Sequence, residues 1–505
     1  MIVLAVVLAY CAIHAGFRLL ASSSLGEDDP LENVLVQTLR LGYLAPQPAL
    51  YDWVLFAVQK VTGPGVGGFL LIKYAALTTT AVLLYLTALR VLRDWVWAAL
   101  AVESMALIYQ IAWRYHEGFT HAVGAMVAVA ATVWAWARVI ERGSTSDFLL
   151  LGLIAGLGAM TEPTYWAFLA ALAAASLLQP AIRQRVVRPG LAIAVLVALL
   201  VASPYVYWIA TYPEPITWVH PWSKSVLKNL GKGLLDALRG PLFYLSPLIV
   251  IVPIVFPRAW RVALDDFRRA PNRAAEPDLA QLILHTALAG MVLCLAGAIV
   301  LGLAGYAMHQ LMPLYLPSVI WLMSVAQRAS GASDVPRRRF AQVAAAFAVL
   351  ALTARLANMF VLDPVCKLCR WGIPYPGLAQ DLVNRGLAAA TIVSPDPETA
   401  GNLRAQIPSA RIGLLGGRGR EDAQAGAGTG SVYIWPEGKA GEAQARSVGA
   451  VLRDGRKVGD AVAVEVPWQH LWRPTGYRSS IWRVLSVPAG PAPEPQRKRV
   501  NSNAE

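Results

Sequence analysis

Long apolar runs that recur along most of the chain constrain its fold more than any other feature of the sequence. After an apolar N-terminal segment, such runs lie at about residues 69–90, 95–112, 119–139, 190–210, 240–256, 280–303, 310–327 and 340–361. Each run is long enough to cross a bilayer as a tilted helix, because about 20 residues span the hydrocarbon core. The N-terminal segment has no small-residue cleavage site after it, so we expect it to remain as the first helix.

The composition agrees with a mainly α-helical, polytopic membrane protein. The 505 residues are 56% hydrophobic and only 15% charged, with a mean hydropathy of +0.48, which is typical of multi-pass proteins rather than soluble ones. The net charge of +13 would suit nucleic acid, but the basic residues cluster in short loops between the apolar runs. That placement indicates orientation in a membrane, and we expect no nucleic-acid partner.

One apolar stretch, residues 148–178, is interrupted by Thr161-Glu162-Pro163-Thr164. Because proline cannot continue a helix through its interior, this stretch predicts two short helices that meet at a polar turn. Between the first helix and residue 68 the chain is polar, with amphipathic pieces at 31–41 and 50–61 that suit the membrane interface.

Arginines gather in alternate loops, and the opposite loops are much poorer in Lys and Arg. The arginines concerned are Arg90, Arg93, Arg138, Arg142, Arg183, Arg185, Arg188, Arg258, Arg261, Arg268, Arg269, Arg273, Arg328, Arg337, Arg338 and Arg339. By the positive-inside rule these loops are cytoplasmic. The regions then predicted to lie outside the cytoplasm are the loop after the first helix, the turn at 114–119, segment 211–239 and the C-terminal region.

The sequence predicts three domains, of which the membrane part covers residues 1–361. Residues 362–487 alternate strand-type runs with helical patterns, which is typical of a small α/β unit. The strand-type runs are 390–394, 411–415, 431–435, 461–466 and 480–487, and the helical patterns lie near 377–386, 397–406 and 442–452. Residues 488–505 are rich in Pro and basic residues and are predicted to be a disordered tail.

Three consecutive acids, Glu27-Asp28-Asp29, follow the first apolar helix. Acids at a membrane boundary are costly to desolvate, so a membrane protein that places them there suggests a functional site. The alternative is a solvated loop that is acidic by chance.

The residues after these acids form a recognisable series. It runs through Gln37-Thr38-Leu39, Gly42-Tyr43 and Gln47-Pro48-Ala49-Leu50-Tyr51-Asp52-Trp53, and continues with Leu71-Ile72-Lys73-Tyr74, Phe119-Thr120-His121, Gly156-Leu157-Gly158-Ala159-Met160-Thr161, Met312-Pro313 and Gly401-Asn402-Leu403-Arg404. In order and spacing this series resembles the bacterial membrane glycosyltransferases of family 39. These are C-type enzymes similar to protein O-mannosyltransferases and to the lipid A aminoarabinose transferase.

The resemblance implies a C-type transmembrane bundle with a small extracytoplasmic α/β domain, in a bacterial inner membrane and with its active site facing the periplasm. It implies transfer of a sugar from a polyprenyl-phosphate donor, with inversion, to lipid A, a polysaccharide, a lipid or a protein. An acceptor hydroxyl needs a carboxylate base within hydrogen-bond reach. Asp28 aligns with the family acid and is the predicted base, with Asp29 next.

The leaving phosphate in such a reaction gains negative charge, which fixed cations or hydrogen-bond donors stabilise. By topology the nearest such residues are Lys73, Arg114, His116, His121 and His309. Three of these residues also have a structural role as the alternative to phosphate binding. Lys73 can snorkel to the interface, Arg114 can anchor a helix end, and His309 can be an interior residue whose hydrogen bonds are satisfied.

The sequence also departs from the family pattern. The second Pro of the loop motif is Ala49, a Lys common after Met160-Thr161 is Glu162, a second family acid is replaced by His121, and the basic residue before the tenth span is His309. These changes leave the implied reaction class as it is, but they alter the groups expected to recognise the donor. Tyr51, Glu117 and Glu162 are also among the predicted substrate-binding residues.

His116, Glu117 and His121 offer metal-ligand types within six positions, but not at an established spacing such as His-Glu-x-x-His. A divalent metal is thus an alternative to a metal-free phosphate site. Cys366 and Cys369 are predicted to form a local disulfide on the oxidising side, because the surrounding sequence fits neither a thioredoxin-like motif nor a complete zinc site.

Two other functions remain open at this point. A transporter or flippase of lipid-linked sugars would suit a polytopic protein, although the chain shows no internal repeat and its acids lie in an external loop. A non-catalytic envelope assembly protein would keep the fold without the chemistry. The sequence defines neither the sugar nor the acceptor.

The predicted topology can be tested with reporter fusions. A reporter that is active only outside the cytoplasm should be active when fused after Gly377 and inactive when fused near Arg269 or Arg338. The opposite pattern would invert the topology and place the acidic loop in the cytoplasm.

Overall fold

Helices make up most of the structure, as the apolar runs predict. The computed structural model describes residues 2–44, 47–212, 224–270, 276–331, 333–366, 369–415, 430–451, 460–470 and 472–488, so most of the predicted tail lies outside the described residues. The helices are α1 (Ile2–Ala21), α2 (Asp29–Leu35), α3 (Leu50–Thr62), α4 (Val66–Leu92), α5 (Trp95–Glu103), α6 (Tyr115–Glu117), α7 (Thr120–Glu141), α8 (Thr145–Ala159), α9 (Thr164–Leu178), α10 (Pro180–Val186), α11 (Pro189–Ala210), α12 (Lys224–Tyr244), α13 (Leu248–Val255), α14 (Ala259–Arg268), α15 (Leu279–Leu301), α16 (Met308–Tyr315), α17 (Ser318–Ser330), α18 (Val335–Ala357), α19 (Tyr375–Asn384), α20 (Pro397–Gln406) and α21 (Lys439–Val451).

The chain divides into two compact units. The first contains the residues up to Arg18, Leu39–Ala57 and Phe69–Ala357. The second contains Leu19–Thr38, Val58–Gly68 and the described residues from Asn358 onward. The second unit therefore combines segments from the N-terminal part of the chain with its C-terminal region.

Within the described residues, six helices are long and apolar enough to cross a membrane, which confirms a multi-pass protein. They are α1, α4, most of α7, α11, α15 and α18 with the turn that follows it. Helices α9 and α10 add a seventh if the pair, bent by 118°, counts as one span. The interrupted run at 148–178 forms α8 and α9 on either side of the predicted polar turn.

Three predicted spans are not continuous helices. In the run at 95–112, α5 ends at Glu103 and is followed by a 3₁₀ helix, Ser104–Leu107, and a π-helical turn, Gln110–Arg114. The run is apolar throughout, so its composition gives no sign of this change in helix type. Such irregular turns are frequent at functional sites.

Proline explains the other two breaks. The run at 240–256 is divided between α12 and α13 around Pro247, and the run at 310–327 is divided between α16 and α17 around Pro317. Each proline stands directly before the next helix, where its missing N–H costs nothing.

The break in the run at 95–112 lies against the break in the run at 240–256. Tyr109 donates its backbone N–H to the carbonyl of Ser246 at 3.3 Å, and Ile108 and Pro247 form an isolated antiparallel bridge. Irregular backbone is tolerated at membrane depth only where its polar groups find partners in the protein. These two segments supply each other with such partners.

Small residues bring α8 and α11 together. A Cβ added at Gly152 would lie 2.4 Å from the carbonyl oxygen of Ala194, so the two backbones are in direct contact there. This close approach through small residues is a common way to join helices in lipid, where burial of apolar surface gives little driving force.

The second unit is built on a five-stranded mixed sheet, as the alternating pattern predicts. Its strands are β1 (Thr391–Ser394), β2 (Ile412–Leu414), β3 (Ser431–Pro436), β4 (Val462–Pro467) and β5 (Ser479–Val487), in the order β2-β1-β3-β5-β4. Strands β2, β1 and β3 are parallel, and β5 runs antiparallel to β3 and β4. Helices α19 and α20 cover a core that includes Ile392, Val432 and Trp482.

Helix α2, which begins in the acidic loop, packs on α20 through reciprocal polar contacts. Asn402 accepts the backbone N–H of Leu25 at 2.7 Å and donates to the carbonyl of Leu25 at 3.2 Å. Asn33 donates to the carbonyl of Gly401 at 2.8 Å. A Cβ at Gly401 would lie 2.0 Å from the carbonyl oxygen of Pro30, so only glycine permits this approach.

The predicted disulfide between Cys366 and Cys369 is present. The guanidinium of Arg478 donates to the carbonyl oxygens of both cysteines, at 3.3 and 3.1 Å. The same guanidinium lies 3.5 Å from the centre of the Trp468 ring. This cation–π contact and the two hydrogen bonds attach the disulfide loop to the residues that follow β4.

We expect Gly401→Ala to loosen α2. The new methyl group would overlap backbone atoms of Pro30, and overpacking of this kind costs about 1–3 kcal/mol or more. Hydrogen exchange of the purified protein should show faster exchange in α2 and a lower melting temperature. Gly449→Ala in α21, where nothing lies within 4 Å of the added Cβ, is the control. Unchanged protection of α2 in Gly401→Ala would contradict the packing described.

Candidate functional site

The acidic loop enters α2 through a strained residue. Glu27 has a φ of +57°, in the left-handed region that non-glycine residues rarely occupy. Asp28 stands at the N-cap position, is partly exposed and makes no capping hydrogen bond through its side chain. Asp29 is only 4% exposed. Of the two predicted catalytic acids, Asp28 is thus the more accessible. Strain of this kind tends to occur where a side chain must be held in a set direction.

Polar residues that follow on α2 are fully buried in the second unit. Glu32 and Asn33 are both 0% exposed, and Gln59 donates to the side-chain oxygen of Asn33 at 2.9 Å. Glu32 was not predicted as a site residue, since one acid in an amphipathic helix suggests a solvated face. A buried carboxylate is costly unless it is paired.

Tyr51, Asp52 and His121 meet in the first unit. The Nε2 atom of His121 lies 3.8 Å from Oδ1 of Asp52, and both side chains are buried. The ring of Tyr51 lies 5.3 Å from the His121 ring. Tyr51 and His121 are predicted site residues that the structure brings together, and Asp52 is added to them. This separation is longer than a hydrogen bond, but an imidazole and a carboxylate this close can share a cation.

His116 is at the centre of a buried cluster on α1, α4 and α6. Its Nε2 lies 3.3 Å from the hydroxyl of Tyr10, and its Nδ1 lies 3.2 Å from the hydroxyl of Tyr74. The ring of His14 stacks on it with a centroid distance of 4.0 Å. Lys73, which precedes Tyr74 on α4, is 2% exposed.

Burial lowers the pKa of His116 well below its usual value, and the charges of His14, Arg355 and Lys73 lower that pKa further. A neutral imidazole donates from one nitrogen and accepts at the other, and both nitrogens face tyrosine hydroxyls. Both ring nitrogens of His116 are thus within reach of hydrogen-bond partners, the hydroxyls of Tyr10 and Tyr74.

Arg355 on α18 joins this cluster from the far end of the chain. It is 1% exposed, and its Nη2 donates to the backbone carbonyl of His116 at 2.8 Å. The sequence analysis did not single it out, because an arginine near the end of an apolar run is typical of an interfacial anchor. The contact fixes the backbone of the turn that carries His116.

Arg114, Glu117 and His309 meet around Phe119. Arg114 and Glu117 form an ion pair at 3.0 Å, and the Arg114 guanidinium lies 4.7 Å from the centre of the Phe119 ring. The His309 ring lies 5.0 Å from the same phenyl ring. Phe119 has a φ of +63°, a left-handed conformation that is strained for an aromatic residue and turns the chain into α7. His309 is partly exposed, so it is not the interior histidine considered above.

Glu162 lies in the turn between α8 and α9 and acts electrostatically on Tyr115. Burial raises the pKa of the Tyr115 hydroxyl well above its usual value, and the charges of Tyr244 and Glu162 add to the effect. Tyr115 also packs edge-on against Phe119 at 6.3 Å. Glu162 is therefore close to the turn that holds Arg114 and Glu117.

The predicted metal ligands belong to three different arrangements. His116 contacts Tyr10 and Tyr74, Glu117 pairs with Arg114, and His121 lies beside Asp52. Asp52 and His121 of the first unit both carry atoms of metal-ligand type and lie 3.8 Å apart.

Comparison with known proteins gives a consistent result. Residues 46–208 match the family model described as dolichyl-phosphate-mannose-protein mannosyltransferase. The lipopolysaccharide core galacturonosyltransferase RgtB of Rhizobium johnstonii is 24% identical over 416 residues, which cover 81% of this chain and 82% of the relative. RgtA of the same organism is 24% identical over 411 residues, 80% of each chain.

Solved structures match along nearly the full length. ArnT from Cupriavidus metallidurans bound to undecaprenyl phosphate superimposes with a TM-score of 0.61 at 12% identity, covering 97% of this chain and 98% of ArnT. The apo form of ArnT gives a TM-score of 0.59 with the same identity and coverage.

The fold is that of the C-type membrane glycosyltransferases, with a multi-pass helical unit and a small α/β unit. The resemblance to glycosyltransferase family 39 that the sequence motifs suggested is confirmed.

Proposed function

We propose that this protein transfers a sugar from a polyprenyl-phosphate donor to a lipid or glycan acceptor of the envelope, on the periplasmic side of the bacterial inner membrane. The observation that carries the proposal is the acidic loop. Asp28 is partly exposed at the start of α2, directly after the apolar helix α1, on backbone that Asn33 and Asn402 hold in place.

The relatives support both the class of donor and the class of acceptor in this proposal. The ArnT structure contains undecaprenyl phosphate, which favours a polyprenyl-linked donor for a chain of the same fold. RgtB and RgtA act on the lipopolysaccharide core, which favours a glycolipid acceptor over a protein.

The proposed chemistry is a single displacement. The acceptor oxygen attacks the anomeric carbon, the bond from that carbon to the phosphate oxygen breaks, and the electron pair leaves with the phosphate. Asp28 takes the acceptor proton as general base. Attack on the face opposite the phosphate inverts the anomeric centre. Lys73, Arg114 and His309 are the groups proposed to stabilise the departing phosphate.

A lipid-linked donor suits this chain better than a nucleotide sugar. The loops predicted to be cytoplasmic, 138–147, 183–190, 258–278 and 328–339, are too short to build a nucleotide-binding fold. The sheet unit is large enough, but its sequence has no Gly-x-Gly-x-x-Gly turn between a strand and a helix. The Cys366–Cys369 disulfide supports an oxidising compartment for that unit, and nucleotide sugars are not supplied there.

The donor can be tested directly with purified protein in liposomes. We expect sugar transfer from a polyprenyl-phosphate monosaccharide to lipopolysaccharide core, measured by mass spectrometry of the acceptor, and no transfer from nucleotide sugars. Efficient transfer from a nucleotide sugar with no polyprenyl lipid present would overturn the proposal. Movement of the lipid-linked sugar across the bilayer without transfer would instead indicate a flippase.

Asp28→Asn should lower kcat about 100- to 10,000-fold, the usual contribution of a general base, with normal membrane insertion. Asp381→Asn is the matched control, because Asp381 forms only an exposed ion pair with Arg385, and such pairs contribute little. Loss of activity in Asp29→Asn but not in Asp28→Asn would move the base by one residue. Normal turnover in both variants would refute a base in this loop.

A further inference from the structure

A cavity of about 320 Å³ lies within the second unit. Its walls come from three segments: 22–24, directly after α1, 371–377 at the start of α19, and 466–469 at the end of β4. Its volume is in the range of small-molecule sites, about 300–1,000 Å³. The residues proposed above as the base or as phosphate ligands are not among those that line it. The cavity is therefore large enough for a ligand and has no role in the chemistry described so far.

The lining of this cavity is polar but uncharged. Ser22, Ser23 and Ser24 contribute hydroxyls and Gln469 contributes an amide, and these groups can both donate and accept hydrogen bonds. Apolar surface is supplied beside them by Trp371, Ile373, Pro374, Pro376, Val466 and Pro467. Among the described residues, none that lines the cavity carries a charge, whereas a phosphate or carboxylate calls for a cation. A neutral sugar ring fits such walls, because its edge carries hydroxyls and its faces carry apolar C–H groups.

Contacts behind the cavity hold the segment that contains Trp371. The indole N–H of Trp371 donates to Oδ1 of Asn358 at 2.7 Å, and its backbone N–H donates to Oδ1 of Asp363 at 3.1 Å. The Cys366–Cys369 disulfide closes the loop directly before this segment. Because these walls are fixed before a ligand arrives, less free energy is lost in ordering them on binding.

The serine segment is held in a similar way. The hydroxyl of Ser24 donates to the carbonyl of Ile373 at 3.3 Å, which joins two walls of the cavity. Gln406 on α20 donates to the hydroxyl of Ser23 at 3.2 Å. Ser24 stands four residues before Asp28, so their Cα atoms are at most about 14 Å apart. A short oligosaccharide can therefore reach from the cavity to the acidic loop.

We propose that this cavity binds a neutral sugar ring of the acceptor glycan, with the ring face on the Trp371 indole and the ring hydroxyls bonded to the serines and Gln469. The inference rests on the proposed function, because it gives the acceptor a second contact beside the acidic loop that carries Asp28. The ring held in the cavity is not the ring that reacts. The site thus selects the acceptor by a sugar some residues away from the attacking hydroxyl.

Binding of core oligosaccharide, released from lipopolysaccharide by mild acid, tests the site in the absence of donor. The protein is titrated in nanodiscs by calorimetry. We expect Trp371→Ala to weaken binding about 10- to 30-fold, as loss of a central tryptophan contact does. Gln469→Ala removes a hydrogen-bonding side chain and should weaken binding about 3- to 10-fold. Trp472→Ala is the matched control, because Trp472 is an exposed tryptophan of the same unit that is not among the lining residues.

Enzyme kinetics separate this role from catalysis. With a polyprenyl-phosphate sugar as donor, Trp371→Ala and Gln469→Ala should raise KM for the core acceptor by the same factors and leave kcat and the donor KM unchanged. The reason is that the contact is equally strong in the ground state and the transition state. A fall in kcat with an unaltered acceptor KM would contradict a binding role.

A thiol at the rim covers the case in which Trp371→Ala does not fold. Ser23 is exposed, and the free cysteines Cys11 and Cys294 are buried, so Ser23→Cys adds an accessible thiol. Saturating oligosaccharide should slow alkylation of that thiol at least about 10-fold, since a bound ligand excludes the reagent in proportion to occupancy. Ser447→Cys, at an exposed position of α21 in the same unit, should be alkylated at an unchanged rate.

Three outcomes would overturn the inference. They are wild-type affinity in both Trp371→Ala and Gln469→Ala, no protection of the thiol in Ser23→Cys, and displacement of the oligosaccharide by an equal concentration of short-chain phosphatidylglycerol, which would show a lipid-headgroup site. Sugar transfer with wild-type acceptor KM in both variants would leave the proposed function standing and refute the site. Binding that depends on Trp371 and Gln469 in a protein that transfers no sugar would do the reverse.

Discussion

The need to satisfy every backbone polar group inside a membrane governs this structure. Most of the chain meets it with unbroken helices, and the exceptions are concentrated where the polar side chains gather. The irregular segment from Ser104 to Arg114 pairs with the break at Ser246. The turn that follows carries Arg114, His116, Glu117 and the left-handed Phe119. Breaks in the helices thus form part of the candidate site. Contacts between segments that are distant in sequence satisfy the backbone groups that these breaks leave unpaired.

Much of the fold could be predicted from the sequence because its signals are local. Apolar run length identified α1, α4, α11 and α15, and short strand-type runs between helical patterns identified all five strands to within a residue or two at each end. Proline marked the division between α8 and α9. The local disulfide followed from the spacing of Cys366 and Cys369 and the side of the membrane.

The rest depended on contacts that no local pattern records. The break after Glu103 lies in a uniformly apolar run, and its partner is more than a hundred residues away. His14 and Arg355 look like ordinary residues of apolar helices until α1 and α18 are placed beside His116. The loop motif contains both Tyr51 and Asp52, but the closeness of Asp52 to His121 emerged only from the structure. The protonation state of His116 likewise depends on burial that sequence cannot report.

The clamp between α2 and α20 has a consequence for biosynthesis. Leu25 and Asn402 are 377 positions apart, so the acidic loop leaves the ribosome long before the residues that hold it exist. At about 5–20 residues per second the interval is roughly 20 to 75 seconds. Throughout that time the helices on either side of the loop can already be in the membrane, while Asn33 has no Gly401 to bind. A nascent or truncated chain would therefore have its acidic loop without the contacts that hold it, and the loop would take its final conformation only after α20 has been made.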